Sequence, residues 1–170
     1  MAPLVRRTWG LRGQTPLLYQ RTRHHRKVSA IAALSISPGR KQVRLCFRLH
    51  PDTNVRAAQL MAFVRQMLAY VRGPVVLIWD RWGPHRARRL QAAVAGHRRL
   101  HVELFPPYAP ELNPVEYLWA WLKANRLANQ APIDLPPLLC SARQASRAAQ
   151  RTPDLLRSFV EHCPLPLRLT

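Results

Sequence analysis

Residues 75–85 read VVLIWDRWGPH, an apolar run that ends in an aspartate and is followed by a Gly-Pro pair. Consecutive apolar residues between the Gly-Pro pairs at 73–74 and 83–84 are typical of a strand in a helix-covered parallel sheet, buried on both faces. Asp80 then lies at the carboxyl end of this strand, where open α/β sheets bind their ligands. An aspartate here also suits a turn or a helix cap, so the position alone leaves both roles open.

A second acid, Glu116, lies in an equally distinctive segment. Residues 106–123 read PPYAPELNPVEYLWAWLK and follow a short predicted strand at 101–105. Asn113, Pro114 and Glu116 fit the N-cap, first and third positions of a helix, so the sequence predicts a capping box that accounts for the acid structurally. The apolar residues that follow recur at helical spacing. Glu116 falls at the edge of their stripe, from which a carboxylate can face the sheet.

Together the two segments resemble the second and third catalytic segments of mariner-type transposases and their bacterial insertion-sequence relatives. The motifs at 79–85 and 106–123 carry the likeness, which extends to residues 6–16, 27–34 and 155–159. The second motif is long and unusual in composition, so chance agreement does not explain it. The resemblance implies a ribonuclease H-like α/β domain with an Asp-Asp-Glu site that cleaves and transfers DNA strands.

In this comparison Asp80 corresponds to the second acid of the family and Glu116 to the third. The resemblance implies two Mg²⁺ or Mn²⁺ ions as cofactors, and such hard cations prefer carboxylate and water oxygens. Residues close to these motifs are candidate DNA contacts. They are Arg81, His85, Arg86, Arg88, Arg89 and Lys123. Two of these have other interpretations, since Arg81 can pair with Asp80 and His85 can be satisfied by local packing.

The first aspartate of the family has no evident counterpart. It belongs on a central strand just before the segment at 6–16, and only Met1 to Val5 precede that segment here. Asp52 is the only acid before Asp80, and its HPDTN context favours a turn or a helix cap. We therefore expect a ribonuclease H-like mixed sheet, flanked by helices, that lacks its first central strand, and a chain that is inactive alone. Two origins would account for the absent strand and acid. The chain is either a truncated or decayed reading frame, or the downstream part of a frameshift product.

The formal net charge of +19, from 27 basic and 8 acidic residues, favours a polyanionic partner. Arginine, alanine and proline are abundant, so codon bias is an alternative source of part of the charge. The resemblance implies DNA as the partner, both transposon ends and target, and allows a homodimer. Two other functions stay open. One is a DNA-binding remnant without catalysis, and the other is a general basic nucleic-acid-binding protein.

Length and periodicity predict a catalytic domain over residues 1–130 and a helical extension over 131–170. The expected strands are 28–36, 43–49, 75–80 and 101–105, and the expected helices are 54–72, 85–95, 114–127, 138–150 and 153–162. The isolated cysteines indicate neither a disulfide framework nor a zinc module. The sequence shows no secretory segment and no apolar stretch of about 18 residues, which predicts a cytoplasmic protein without a membrane partner. The resemblance implies in addition that it is bacterial and associated with the nucleoid.

Overall fold

The computed structural model describes residues 7, 9–15, 17, 27–130, 134–165 and 169. Its strands are β1 (Val28–Ile36), β2 (Val43–Pro51), β3 (Val75–Trp79) and β4 (Leu100–Leu104). Its α-helices are α1 (Ala57–Tyr70), α2 (Arg88–Ala95), α3 (Pro114–Trp121), α4 (Leu135–Gln150) and α5 (Pro153–Glu161). Short 3₁₀ turns at Gly83–Arg86 and Pro110–Leu112 precede α2 and α3, and a π-helical turn at Leu122–Arg126 follows α3.

The strands pair in two separate two-stranded sheets. β1 and β2 form an antiparallel hairpin in which Val28 lies opposite Pro51. β3 and β4 pair in parallel, with Val75 opposite Leu100, and α2 lies in the connection between them. The sequence predicts one mixed sheet. The structure has both kinds of pairing, but among the described residues no hydrogen-bonded ladder joins the two sheets.

A first core cluster lies between the β1–β2 hairpin and the helices α3, α4 and α5. Its most deeply buried side chains are Leu118, Ala149, Leu156 and Val160. Because α4 and α5 pack against the same strands as α3, the C-terminal helices belong to the core that supports Glu116. The division of the chain at residue 130 stays a prediction.

A second core cluster lies under α1 and α2. Helix α1 turns Leu60, Phe63, Val64, Met67 and Leu68 inward, because these residues recur at three- and four-residue spacing. Most of these side chains pack with buried residues of α2 and with one face of the β3–β4 sheet. The helices thus place the carboxyl ends of β3 and β4 side by side, where the predicted site belongs.

Strand β1 connects the two clusters. Ala32 and Leu34 pack against the first cluster, whereas Ile31 and Ala33 pack against the second. Side chains alternate between the two faces of a strand, so β1 forms a wall that both clusters share. The two sheets are therefore connected through the second cluster, to which β1 contributes side chains as β3 and β4 do.

Strand β3 is buried on one face only, so the prediction of a strand covered on both faces is wrong. Val75 and Leu77 pack against the second cluster, whereas Val76 and Ile78 are 62% and 41% exposed. Helices α1 and α2 cover one face of this sheet, and no other helix in the described part of the chain covers the opposite face. The apolar run predicts the strand itself correctly, and the parallel pairing is confirmed.

Helix α4 begins at Leu135, earlier than the predicted start at residue 138. Pro136 and Pro137 lie in its first turn, where backbone N–H groups lack partners within the helix and proline therefore removes no hydrogen bond. No helix in the described ranges combines the length and apolar composition that crossing a bilayer requires.

Candidate active site

Asp80 follows the last residue of β3 and is fixed by the loop that comes next. Its Oδ1 accepts a hydrogen bond from the backbone N–H of Trp82 at 3.0 Å and lies 2.7 Å from Nδ1 of His85. No group among the described residues bonds to Oδ2, and 49% of the Asp80 side chain is exposed. One oxygen of the carboxylate is therefore held in place, and the other is available to a ligand.

His85 is held by two tryptophans, Trp79 at the end of β3 and Trp82 in the loop that follows. Its ring stacks on Trp79 with centroids 4.7 Å apart and an interplanar angle of 7°, and it meets Trp82 edge-on at 5.6 Å. Only 13% of its side chain is exposed. The packing of this ring fits the expectation that His85 is satisfied by local contacts. In addition, its Nδ1 contacts Asp80 and orients that side chain. A phosphate could reach it only through Nε2.

Glu116 lies in the first turn of α3, and its carboxylate is exposed. Asn113 caps this helix, since its side chain accepts a hydrogen bond from the N–H of Val115 at 3.1 Å. The reciprocal half of the predicted capping box does not form, because the N–H of Asn113 donates instead to Pro110 O at 3.0 Å. Among the described residues Glu116 has no side-chain partner. Its only structural benefit is a favourable position near the positive end of the helix dipole.

A cleft of about 590 Å³ is bordered by both acid-bearing segments. The loop after Asp80 supplies Trp82 and Pro84, and α3 with its π-helical extension supplies Trp119 and Lys123. The remaining lining residues come from the start of β1 and from the approach to α1, namely Lys27, Val28, Ser29, Ala30, Asn54, Val55 and Arg56. Trp119 and Lys123 follow Glu116 by three and seven positions, so the three side chains project from one face of the helix.

The predicted DNA contacts differ in their surroundings. Arg81 does not pair with Asp80; its Nε donates to Phe105 O at 3.3 Å and ties the loop to the end of β4. Arg86 at the end of the 3₁₀ turn and Arg88 and Arg89 at the start of α2 are exposed. Lys123 lines the cleft. The basic run at residues 21–26 lies outside the described residues.

Sequence reasoning did not single out Arg56 or the two cleft tryptophans as functional residues. Trp119 fits the apolar stripe of α3, and Arg56 precedes a helix without a recognisable motif. Lys27 is the last residue of a basic run at 21–27, and such a run is only weak evidence for a binding site. These residues meet only because α1, β1 and α3 converge, and no local pattern reveals that convergence.

The donors at this site suit a hard divalent cation, although they are few. Among the described residues, one carboxylate oxygen of Asp80 and the carboxylate of Glu116 have no bonding partner. Mg²⁺ is commonly held by one or two carboxylates together with waters and substrate phosphates. Within the described part of the chain, no three His, Cys, Asp or Glu side chains gather closely enough to hold a metal ion. Asp52 lies in a turn with φ of 47°, as its sequence context predicts.

The family of the chain follows from a match to the DDE superfamily endonuclease model over residues 2–138. The chain belongs to this family. Its two acid-bearing motifs, at 79–85 and 106–123, both lie within the matched residues. Among proteins with curated functions, no relative matches.

Solved structures of Mos1 mariner transposase share the fold. A paired-end complex with Mn has a TM-score of 0.65 at 18% identity, over 98% of this chain and 50% of the Mos1 chain. A strand transfer complex gives 0.64 at 19%, over 97% and 48%, and the isolated catalytic domain gives 0.50 at 17%, over 79% and 80%. The chain thus spans about half the length of the proteins in the two complexes. The predicted ribonuclease H-like transposase fold is confirmed.

Proposed function

We propose that this chain is the catalytic part of a DDE transposase and that Asp80 and Glu116 hold the divalent metal ions of its DNA-cleaving site. The observation that supports the proposal is the cleft lined by Trp82 and Pro84, which follow Asp80, and by Trp119 and Lys123, which follow Glu116; neither acid is itself a lining residue. In the described part of the chain, Oδ2 of Asp80 and both carboxylate oxygens of Glu116 have no bonding partner. The family membership supplies the reaction class, which is metal-dependent cleavage and transfer of DNA strands.

The metal ions are Mg²⁺ or Mn²⁺, with two ions in the complete site. Asp80 and Glu116 would hold such ions, which when bound would supply activation of the attacking water or 3′-hydroxyl and stabilisation of the leaving oxygen. Among the protein groups, Asp80 presents Oδ2 while His85 and the Trp82 N–H hold Oδ1. Glu116 offers its carboxylate from the rigid first turn of α3.

The DNA substrate is bound through its phosphates by exposed arginines next to the Asp80 loop. Arg86, Arg88 and Arg89 project from the start of α2, and the arginine fork matches phosphate oxygens in a bidentate manner. Transposon ends and target DNA are the proposed partners. A homodimer would bring two ends together, and the cellular site would be chromosomal DNA in the bacterial cytoplasm.

Low activity of this chain alone is part of the proposal. With two carboxylates and no third acid beside them in the described part of the chain, the two ions of a two-ion site would share only two carboxylate ligands and would be held loosely. A displacement of about 1 Å can lower a rate about a hundredfold. A non-catalytic DNA-binding role is the second candidate, favoured by the same missing ligand together with the exposed arginines.

A nicking assay on DNA that carries the transposon ends tests the proposal. It compares the chain, its Asp80→Ala and Glu116→Ala variants, and a chain extended at its N terminus by a strand that bears an aspartate. We expect weak Mg²⁺- or Mn²⁺-dependent nicking by the chain, recovery in the extended chain, and loss when either acid is replaced in the extended chain.

Metal binding separates the two candidates without catalysis. Titration with Mn²⁺, followed by electron paramagnetic resonance, should show a site that is lost in Asp80→Asn and in Glu116→Gln, which preserve side-chain size. Equal Mn²⁺ binding by all three proteins would refute the metal assignment and leave the non-catalytic role.

A further inference from the structure

Phe105 makes two hydrogen bonds through its backbone, one to each neighbour of Asp80. Its N–H donates to Trp79 O at 2.9 Å, and its carbonyl accepts a hydrogen bond from Arg81 Nε at 3.3 Å. Phe105 is the first residue after β4, and only 6% of it is exposed, so burial holds it in place. Both residues that flank Asp80 are therefore attached to one fixed residue on the neighbouring strand.

The bond from Arg81 takes the place of a bond of the sheet. The register that puts Trp79 opposite Leu104 puts Asp80 opposite Phe105 when it is extended by one residue. In a regular parallel ladder, a residue donates to the carbonyl before its opposite residue and accepts from the N–H after it. Phe105 makes the first of these bonds in the usual way. For the second, the side-chain Nε of Arg81 replaces the backbone N–H.

This replacement lets the chain leave the sheet at Asp80 without losing its attachment. The departure brings the N–H of Trp82 and Nδ1 of His85 to Oδ1 of Asp80. A strand end that leaves a ladder frays easily, since its backbone groups lose their partners. The bond from Arg81 is partly buried, so water competes with it less than at an open surface. The Asp80 loop thus stays tied to the end of β4.

The segment after Phe105 is short, rich in proline and leads to Glu116. A Pro-Pro pair follows Phe105 directly. Proline fixes its own φ and restricts the residue before it to extended conformations. The 3₁₀ turn Pro110–Leu112 and the N-cap Asn113 then begin α3. A shift of Phe105 would therefore be passed on to the first turn of α3, which carries Glu116.

We propose that Arg81 is a positioning residue that sets the placement of the Asp80 loop relative to the segment that carries Glu116. The inference rests on the proposed function, because the two acids need a fixed spacing only if they hold metal ions together. Arg81 acts through its Nε donor and not through its charge. Among the described residues its terminal nitrogens bond no group, so contact with a DNA phosphate is the alternative role, and the test separates the two.

Three substitutions of Arg81 separate the donor from the charge. Glutamine places its amide nitrogen the same number of bonds from Cα as the Nε of arginine, so Arg81→Gln keeps the donor and removes the charge. Arg81→Lys keeps the charge but has carbon at that point, and Arg81→Met has neither donor nor charge. Positioning predicts that only Arg81→Gln behaves like the unaltered chain. A role of the charge predicts instead that only Arg81→Lys does.

Hydrogen exchange in EDTA, read by peptide mass spectrometry on the full chain, measures the attachment without metal. In Arg81→Met and Arg81→Lys we expect faster exchange at 80–87 and 103–113, because the amides of Trp82 and Phe105 lose protection when the loop opens. Arg81→Gln should exchange at the rates of the unaltered chain. Three variants that behave alike, whether all unchanged or all faster, would overturn the proposal. Protection that is kept by Arg81→Lys and lost by Arg81→Gln would also overturn it.

Arg99 provides a matched control at the opposite end of the same sheet. Its Nε donates to Gly73 O at 3.0 Å, so it joins the start of β4 to the turn before β3 by the same kind of bond. Arg99→Met should speed exchange in that turn and leave the peptide at 80–87 unchanged. Equal acceleration at 80–87 by Arg99→Met and Arg81→Met would show general loosening of the sheet and would overturn a specific role for Arg81.

Mn²⁺ titration connects the attachment to the site. Loss of a group that orients a metal ligand costs about 10–100-fold in affinity. Arg81 acts one step further from the metal, so we expect a loss near the lower end, about tenfold, in Arg81→Met and Arg81→Lys. We expect no loss in Arg81→Gln. If the unaltered chain binds Mn²⁺ and Arg81→Met binds it equally well, the positioning role is wrong.

The two measurements also separate this proposal from the proposed function. The expected exchange pattern together with no Mn²⁺ binding by the unaltered chain would refute the metal assignment and leave the attachment by Arg81 standing. Mn²⁺ binding without the exchange pattern would refute the role of Arg81 alone. If Arg81→Met does not fold, as judged by circular dichroism, the comparison of Arg81→Lys with Arg81→Gln decides between donor and charge.

Discussion

Nδ1 of His85 lies 2.7 Å from Oδ1 of Asp80, and the imidazole ring is stacked on Trp79. A histidine that donates to a carboxylate fixes both the rotamer of the acid and the oxygen that remains free. Trp82 completes the arrangement through its backbone N–H and its indole edge. The seven-residue motif WDRWGPH thus contains all the groups that fix the position of the Asp80 carboxylate.

Replacing His85 should weaken metal binding at Asp80. In metalloenzymes the loss of a group that orients a ligand typically costs about 10–100-fold in affinity. We expect a loss of this size for Mn²⁺ in His85→Ala and partial recovery in His85→Asn, whose amide can donate from a similar position. Mn²⁺ titration of the variants measures both.

His101 provides a matched control for this experiment. Its Nε2 lies 2.7 Å from Glu103 Oε1, so it forms an equally short histidine–carboxylate pair, but on the exposed face of β4. His101→Ala should leave Mn²⁺ affinity unchanged. A similar loss in both variants would mean that general charge, not the orientation of Asp80, controls the site.

The arginines of α2 should set much of the salt dependence of DNA binding. Each phosphate neutralised on duplex DNA contributes a slope of about −0.9 to the log-log plot of affinity against salt. Replacing Arg86, Arg88 and Arg89 together by alanine should therefore flatten the slope by up to about 2.7. Fluorescence anisotropy of labelled duplex DNA at several salt concentrations gives the slope.

A triple variant with the same change of charge serves as the control for α2. Arg143, Arg147 and Arg151 are exposed along α4 and at its end. Their replacement by alanine should alter the slope little, because this surface is not part of the proposed DNA path. Equal flattening by both triple variants would show diffuse binding to the whole basic surface.

Local sequence patterns predicted the elements well but not their surroundings. The apolar run at 75–80 identified β3, and the proline-rich segment before Glu116 identified the start of α3. The open face of β3 escaped prediction, because its exposure depends on which helices reach it and not on its own residues. The capping box formed only in part for a similar reason. The N–H of Asn113 donates to the carbonyl of Pro110, and the capping-box motif does not specify that acceptor.

Leu118 should be essential to the support of Glu116. Only 1% of it is exposed, and it lies in the first core cluster two residues after the acid. Leu118→Ala should lower the free energy of unfolding by about 2–5 kcal/mol, because it removes buried methyl groups and leaves a cavity. Urea denaturation measures this. Leu104→Ala, at a position that is 46% exposed, should change stability by less than about 0.5 kcal/mol. Equal losses of unfolding free energy in the two variants would contradict the burial of Leu118 in the core.

Cys163 should resist alkylation, whereas Cys140 reacts readily. The Cys163 thiol is buried at the end of α5 and donates to Leu112 O at 3.0 Å, just before the cap of the Glu116 helix. Burial raises the pKa of the Cys163 thiol, so less thiolate is present near pH 8 than at an unperturbed cysteine. Cys140 is exposed on α4. Timed iodoacetamide labelling at pH 8, with peptide mass spectrometry, should show Cys140 modified first and Cys163 modified fully only in urea. Equal rates in the native protein would show that α5 does not dock on the loop that begins α3.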